Sequence, residues 1–134
     1  MNKLSGYSAR INEISSSNPS TAPMLVQHFL IAYDVCNTEY CKAVQADCEV
    51  KNLLEAAEAI AKLEKSGPYL ETNKLKDTAE ARKSYAAIDP DVIAVQNIKA
   101  LTEALSLQLR NDLNKFHMAH DDVKKIAYDN TFKS

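Results

Sequence analysis

The stretch RKSYAAIDPDVIAVQ, residues 82–96, decides how this chain is read. It places a proline in a sequence otherwise suited to uninterrupted helix. Around that proline stand the residue types a helix boundary needs. Asp89 can accept the first free amides of a following helix, and Pro90 fits the first position because no amide is required there. Asp91 suits the positive end of the helix dipole. A residue that precedes proline resists the helical region, so the helix before it ends by Asp89. The stretch therefore predicts a capped junction between two helices.

Downstream of the junction, Val92, Val95, Ile98, Leu101, Leu105, Leu109, Leu113, Phe116, Ala119, Val123 and Ile126 recur every three or four residues. That spacing predicts one long amphipathic helix over 90–128, with a period close to the heptad value. Upstream, a shorter helix is expected over 74–87. Before it, Ser66-Gly67-Pro68 has the composition of a stop, since glycine can take a left-handed cap and proline cannot continue a helix. The run that leads to it, 22–65, repeats Leu25, Phe29, Ala32, Cys36, Tyr40, Ala43, Val50, Leu54, Ala57 and Ala61 without an interior breaker. Thr21 is a candidate N-cap there, with Pro23 in the first turn. The polar segment SSSNPSTAP, 15–23, fits no regular pattern, so residues 1–21 are expected to be flexible or to hold a short helix around Leu4 to Ile14.

These elements make a single helical domain over 1–134 of the all-α class: a long helical hairpin or bundle with a short connecting helix. Two long arms with apolar stripes cannot hide them within a small monomer. Oligomerisation through the amphipathic helices is therefore expected, on Val92, Val95, Ile98, Leu101, Leu105, Leu109, Leu113 and Phe116.

The composition agrees with helix and limits function. Among 134 residues there are two glycines and no tryptophan, with 46% hydrophobic and 25% charged side chains. A net charge of −2 means that any nucleic-acid surface must be a local patch. Residues 1–65 hold six basic and eight acidic groups, and 66–134 hold ten of each, so neither half stands out. The first residues lack a long apolar run, and neither a signal peptide nor a membrane span is expected. Three cysteines, an odd number, argue against a disulfide framework and for a reducing, cytoplasmic location, the cytosol of an infected cell included.

Few groups suggest chemistry. Cys36, Cys41 and Cys48 are spaced by five and seven, which on a helix does not bring ligands together. Free cysteine more often behaves as a small buried apolar group. His117, His120 and Asp121 share a helix face but lack a supporting second cluster. Neither a phosphate-cradling glycine loop nor a nucleophile elbow nor a His-Glu-x-x-His pattern occurs. No enzyme activity, metal or cofactor is expected. What remains is a basic and aromatic group: Lys62, Lys65, Tyr69, Lys74, Lys76, Arg82, Lys83 and Tyr85. Such cations can track phosphates while a tyrosine stacks on a base. The alternative is a solvated helix whose cations offset nearby acids, and composition by itself favours that alternative.

Residues 82–96, with the long helix after them, resemble the C-terminal half of the UvsY-type recombination mediators of T-even phages. The likeness lies in a charged helix end, a short apolar run, and an Asp-x-Asp-Val junction that opens a long amphipathic helix. HDDVKKIAYD, 120–129, falls where that family has a similar polar and basic end. The likeness runs from Lys76 to Ile98, more thinly to Tyr128, and over 22–65 consists of a long helix of comparable size and place. The resemblance implies a non-enzymatic mediator that forms a homo-oligomeric ring and binds single-stranded DNA. It would help to load a recombinase onto DNA covered by single-stranded-DNA-binding protein, and would contact both proteins. It also places DNA contacts near the end of the first long helix, where this chain has Lys62 and Lys65. Ser66-Gly67-Pro68 is a tighter and less basic turn than the family's. The rival reading is a protein-binding helical module without nucleic-acid binding, such as a phage inhibitor of a host enzyme or a virion scaffold component.

Overall fold

The computed structural model describes residues 2–18 and 20–132; Pro19, within the polar segment noted above, lies outside them. The protein is all-α, 91% helical and without strands among the described residues. Helix α1 spans Asn2–Ala9 and passes into a tighter 3₁₀ segment, Arg10–Ser16. Helix α2 spans Ala22–Ile60, one π-helical turn covers Ala61–Lys65, and α3 follows directly over Ser66–Thr72. Helices α4, Ala79–Ile88, and α5, Pro90–Phe132, complete the chain.

The contacts of these helices divide into two compact units, residues 1–42 with 107–134, and residues 43–106. In the first unit, segments of α2 and α5 pack through Leu25, Phe29, Ala32 and Cys36 against Leu109, Phe116, Ala119 and Val123, all buried. The buried Cys36 thiol donates to the Leu109 carbonyl at 3.4 Å. Burial, and then the nearby Asp112, push its pKa up to about 11, so it stays protonated. Tyr7 of α1 sits against His28 and, edge-on, against Phe116. In the second unit Ala61, Ala86 and Val92 form the core, with Leu54, Ala57 and Tyr85 packed around it.

Asn18 rather than Thr21 caps the start of α2. Its side chain accepts from the Ser20 and Thr21 amides, and Thr21 Oγ1 accepts in return from the Asn18 amide at 2.9 Å. This is the reciprocal arrangement of a capping box.

The junction at Asp89 has the expected chemistry. Asp89 Oδ2 accepts from the Asp91 and Val92 amides at 3.1 and 3.2 Å, and Pro90 opens α5. The expected stop at Ser66-Gly67-Pro68 does not occur: helix continues through it to Thr72. Proline removes one amide donor and crowds the carbonyl one turn back, and the wider π turn before it takes up the mismatch. Ser66 now bonds the Ala61 carbonyl, five residues back, which leaves the Lys62 carbonyl without its α-helical donor. Ser66 Oγ and Arg82 Nη1 supply two donors to it, at 2.6 and 2.8 Å.

The true stop comes at Lys74, whose φ of 54° is left-handed. Its amide bonds the Glu71 carbonyl and that of Leu75 bonds the Leu70 carbonyl, the paired bonds of a Schellman end. The short helix accordingly starts later than expected, at Ala79. Thr78 caps it, accepting from the Ala81 amide at 3.0 Å.

The α2 stripe is buried or half-buried at every expected position from Leu25 to Ala61. The α5 stripe is not. Ile98, Leu101 and Leu105 face outward at 50, 72 and 39% exposure. The partly buried positions beside them are Lys99, Thr102 and Ser106. The reason is Asp47 of α2, which accepts from Thr102 Oγ1 at 2.6 Å and pairs with Lys99 at 3.5 Å. The Thr102 bond, then Lys99, outweigh the cost of burial and hold the Asp47 carboxyl below its ordinary value. Cys41 and Cys48 also differ from expectation, both lying exposed on α2.

Candidate nucleic-acid interface

The eight residues proposed from sequence for DNA all belong to the second unit, around α3, α4 and the turns beside them. Lys62 and Lys65 stand on the π turn, Tyr69 on α3, Lys74 and Lys76 on the connection after it, and Arg82, Lys83 and Tyr85 on α4. The structure gives them different surroundings, in three groups, two of which share Tyr85, and leaves Lys74 apart.

Lys65, Tyr85 and Arg82 are engaged in holding the unit together. Lys65 pairs with Asp91 and, at 3.4 Å, with Asp89; the Asp91 bond chiefly, despite opposing burial, raises its pKa. Tyr85 donates to Asp89 Oδ1 at 2.8 Å, and this bond, then burial, raises its pKa. Asp89 is 1% exposed. Burial opposes its ionisation, but the Tyr85 hydroxyl, the Val92 amide and Lys65 together outweigh burial and hold the carboxyl below its ordinary value. Arg82 makes a two-pronged pair with Asp77, at 2.7 and 2.8 Å, and spends a third donor on the Lys62 carbonyl. The Asp77 pairing keeps Asp77 low and Arg82 high.

Lys62 and Lys83 line one groove, with Glu58 and Gln96 beside them. Tyr69, Tyr85 and Lys76 line another, of about 470 Å³, walled by Leu70, Leu75 and Ile88. The two tyrosine rings tilt against each other, centroids 4.9 Å apart at 38°. Lys74 is exposed at the end of α3. Four cations, Lys62, Lys74, Lys76 and Lys83, thus have no ion-pair partner among the described residues.

Residues 58–91 hold six basic and seven acidic side chains. With Asp77, Asp89 and Asp91 taken by Arg82 and Lys65, four lysines remain against Glu58, Glu64, Glu71 and Glu80. Asp77 stood among the nearby acids expected to offset the cluster, and it pairs with Arg82. Asp89 and Asp91 were read only as capping and dipole residues, and their pairing with Lys65 across the junction was missed.

Elsewhere, His117 and His120 both approach Asp121, at 3.4 and 3.8 Å, and no group of three residues able to hold a metal ion occurs among the described residues. Of the residues expected to drive self-association, Val92, Leu109 and Phe116 are buried within their own units and Val95 and Leu113 are half-buried. Only Ile98, Leu101 and Leu105 remain available on the surface. No helix among the described residues is long and apolar enough to cross a membrane. Comparison with known protein families, with curated proteins and with solved structures finds no match to this chain.

Proposed function

We propose that this protein binds single-stranded DNA as an oligomeric recombination mediator, helping to load a recombinase onto DNA covered by single-stranded-DNA-binding protein. The observation that carries this reading is the set of four lysines, Lys62, Lys74, Lys76 and Lys83, around the short helix, without ion-pair partners among the described residues. The resemblance of residues 82–96 to the UvsY-type mediators adds the recombinational setting and the two protein partners. Four lysines beside four free carboxylates make a weak site in one subunit. A ring of such sites on one strand binds far more tightly than any single site, because the later contacts are intramolecular. The outward Ile98, Leu101 and Leu105 supply a surface for that assembly.

A second reading, a protein-binding helical module without nucleic-acid binding, draws support from the same charge balance and the same outer apolar residues. Fluorescence anisotropy of a labelled oligonucleotide separates the two. The mediator reading expects binding at low salt that weakens steeply as salt rises, with single strands preferred to duplex. Absence of binding at low salt would discard it and leave the protein-binding module.

A further inference from the structure

The two grooves beside α4 differ in chemistry as well as in place. One is lined by Lys62 and Lys83 and has no aromatic residue; the other has two tyrosines, apolar walls and Lys76. In the second groove the aromatic pair is braced. Tyr85 is fixed at its hydroxyl by Asp89 and packs against the core of Ala61, Ala86 and Val92. Tyr69, from α3, tilts against it at 4.9 Å, and neither ring is fully buried. Leu75 and Ile88 stand at the groove with more than half of their surface exposed. An apolar slot with a fixed aromatic pair and an unpaired lysine suits a flat ring that carries an anion.

We infer that the Tyr69–Tyr85 groove is a stacking site for an unpaired nucleobase, with Lys76 on the adjoining phosphate, while Lys62 and Lys83 hold backbone phosphates without contacting bases. This rests on the single-stranded DNA reading and divides its contacts into two kinds. Every base has a π face, so the site tolerates any sequence. Rings already held in place lose little freedom when a base arrives.

The test compares a labelled oligothymidylate with an abasic oligonucleotide of the same length and charge, for the intact protein and for Tyr69→Ala and Tyr69→Phe, with helicity checked by circular dichroism. Stacking predicts that the abasic strand binds the wild type about tenfold more weakly or worse. Tyr69→Ala should bring oligothymidylate down to the abasic level and leave the abasic strand unaffected. Tyr69→Phe, which keeps the ring, should behave as wild type. Equal binding of both strands by the wild type overturns the stacking site alone, and gives the groove to an apolar side chain of a protein partner. Equal weakening of both strands by Tyr69→Ala overturns it as well. Failure of both strands to bind at low salt overturns the DNA reading and this inference together.

Discussion

Asp89 is the residue on which the second unit turns. One nearly buried carboxylate caps α5, accepts the Tyr85 hydroxyl and pairs with Lys65. Asp89→Ala leaves amides, a phenol and an ammonium without their partner, and should lower the melting temperature by roughly 10 °C. Tyr85→Phe, which removes one bond, should lower it by roughly half as much; melts followed by circular dichroism measure both. Lys74 is the opposite case. It occupies a left-handed position that glycine enters without steric cost, so Lys74→Gly should stabilise by about 1 kcal/mol in a denaturant titration. Titration adds a third expectation. Burial, then Arg10, lower the pKa of His28, and the carboxyls of Asp47, Asp77 and Asp89 are lowered too. In each case the unfolded chain takes up the proton first as the pH falls. The His28 contribution is intact above its ordinary value of 6.5 and is lost below it. That of the carboxylates is intact above their ordinary 3.8 and is lost as the pH falls through their lower folded values. Melting temperature should therefore fall in two stages on acidification, and His28→Phe should abolish the first stage only. A wild-type curve flat down to pH 4 would contradict the account of His28.

At the scale of elements, the junction and the turn before it differ in how local their causes are. The Asp89-Pro90-Asp91 boundary was legible because its capping groups lie within three residues of the amides they serve. Ser66-Gly67-Pro68 was misread because helix passes it through a π turn. The Lys62 carbonyl that this turn bypasses takes, besides Ser66 Oγ, a donor from sixteen residues downstream of Ser66, the Arg82 guanidinium. No local pattern reveals that bond. The α5 stripe misled for a related reason: Asp47 draws Lys99 and Thr102 inward, and Ile98 and Leu101, each one position away, turn out. On α2, where Leu25, Phe29, Ala32 and Cys36 are all buried and the half-buried His28 packs among aromatic rings, spacing was sufficient. The candidate site was legible as a group of residue types, but not in its division between pinned and free cations. That division is testable. Arg82→Ala should lower the melting temperature by several degrees and change DNA affinity less than twofold. Lys83→Ala should do the reverse, and the same result for both would erase the distinction.

For the whole molecule, the account requires self-association, because four free lysines per chain face an equal number of free carboxylates. Leu101 is 72% exposed, so Leu101→Glu should leave helicity and the stability of the separate chain within about 0.5 kcal/mol of wild type. It should nevertheless shift sedimentation equilibrium toward the monomer and weaken DNA binding by tenfold or more through lost avidity. An unchanged molecular mass would remove Ile98, Leu101 and Leu105 as the associating surface. The central claim, that the unpaired lysines hold single-stranded DNA, is tested most directly by the salt dependence of oligonucleotide affinity for wild type and Lys62→Gln/Lys83→Gln. Each phosphate contact contributes about 0.7 to the slope of log affinity against log salt for a single strand. The double variant should therefore bind more weakly, with a slope smaller by about 1.4 or more according to the subunits engaged. A wild type that fails to bind at low salt, or a double variant with the wild-type affinity and slope, would contradict it.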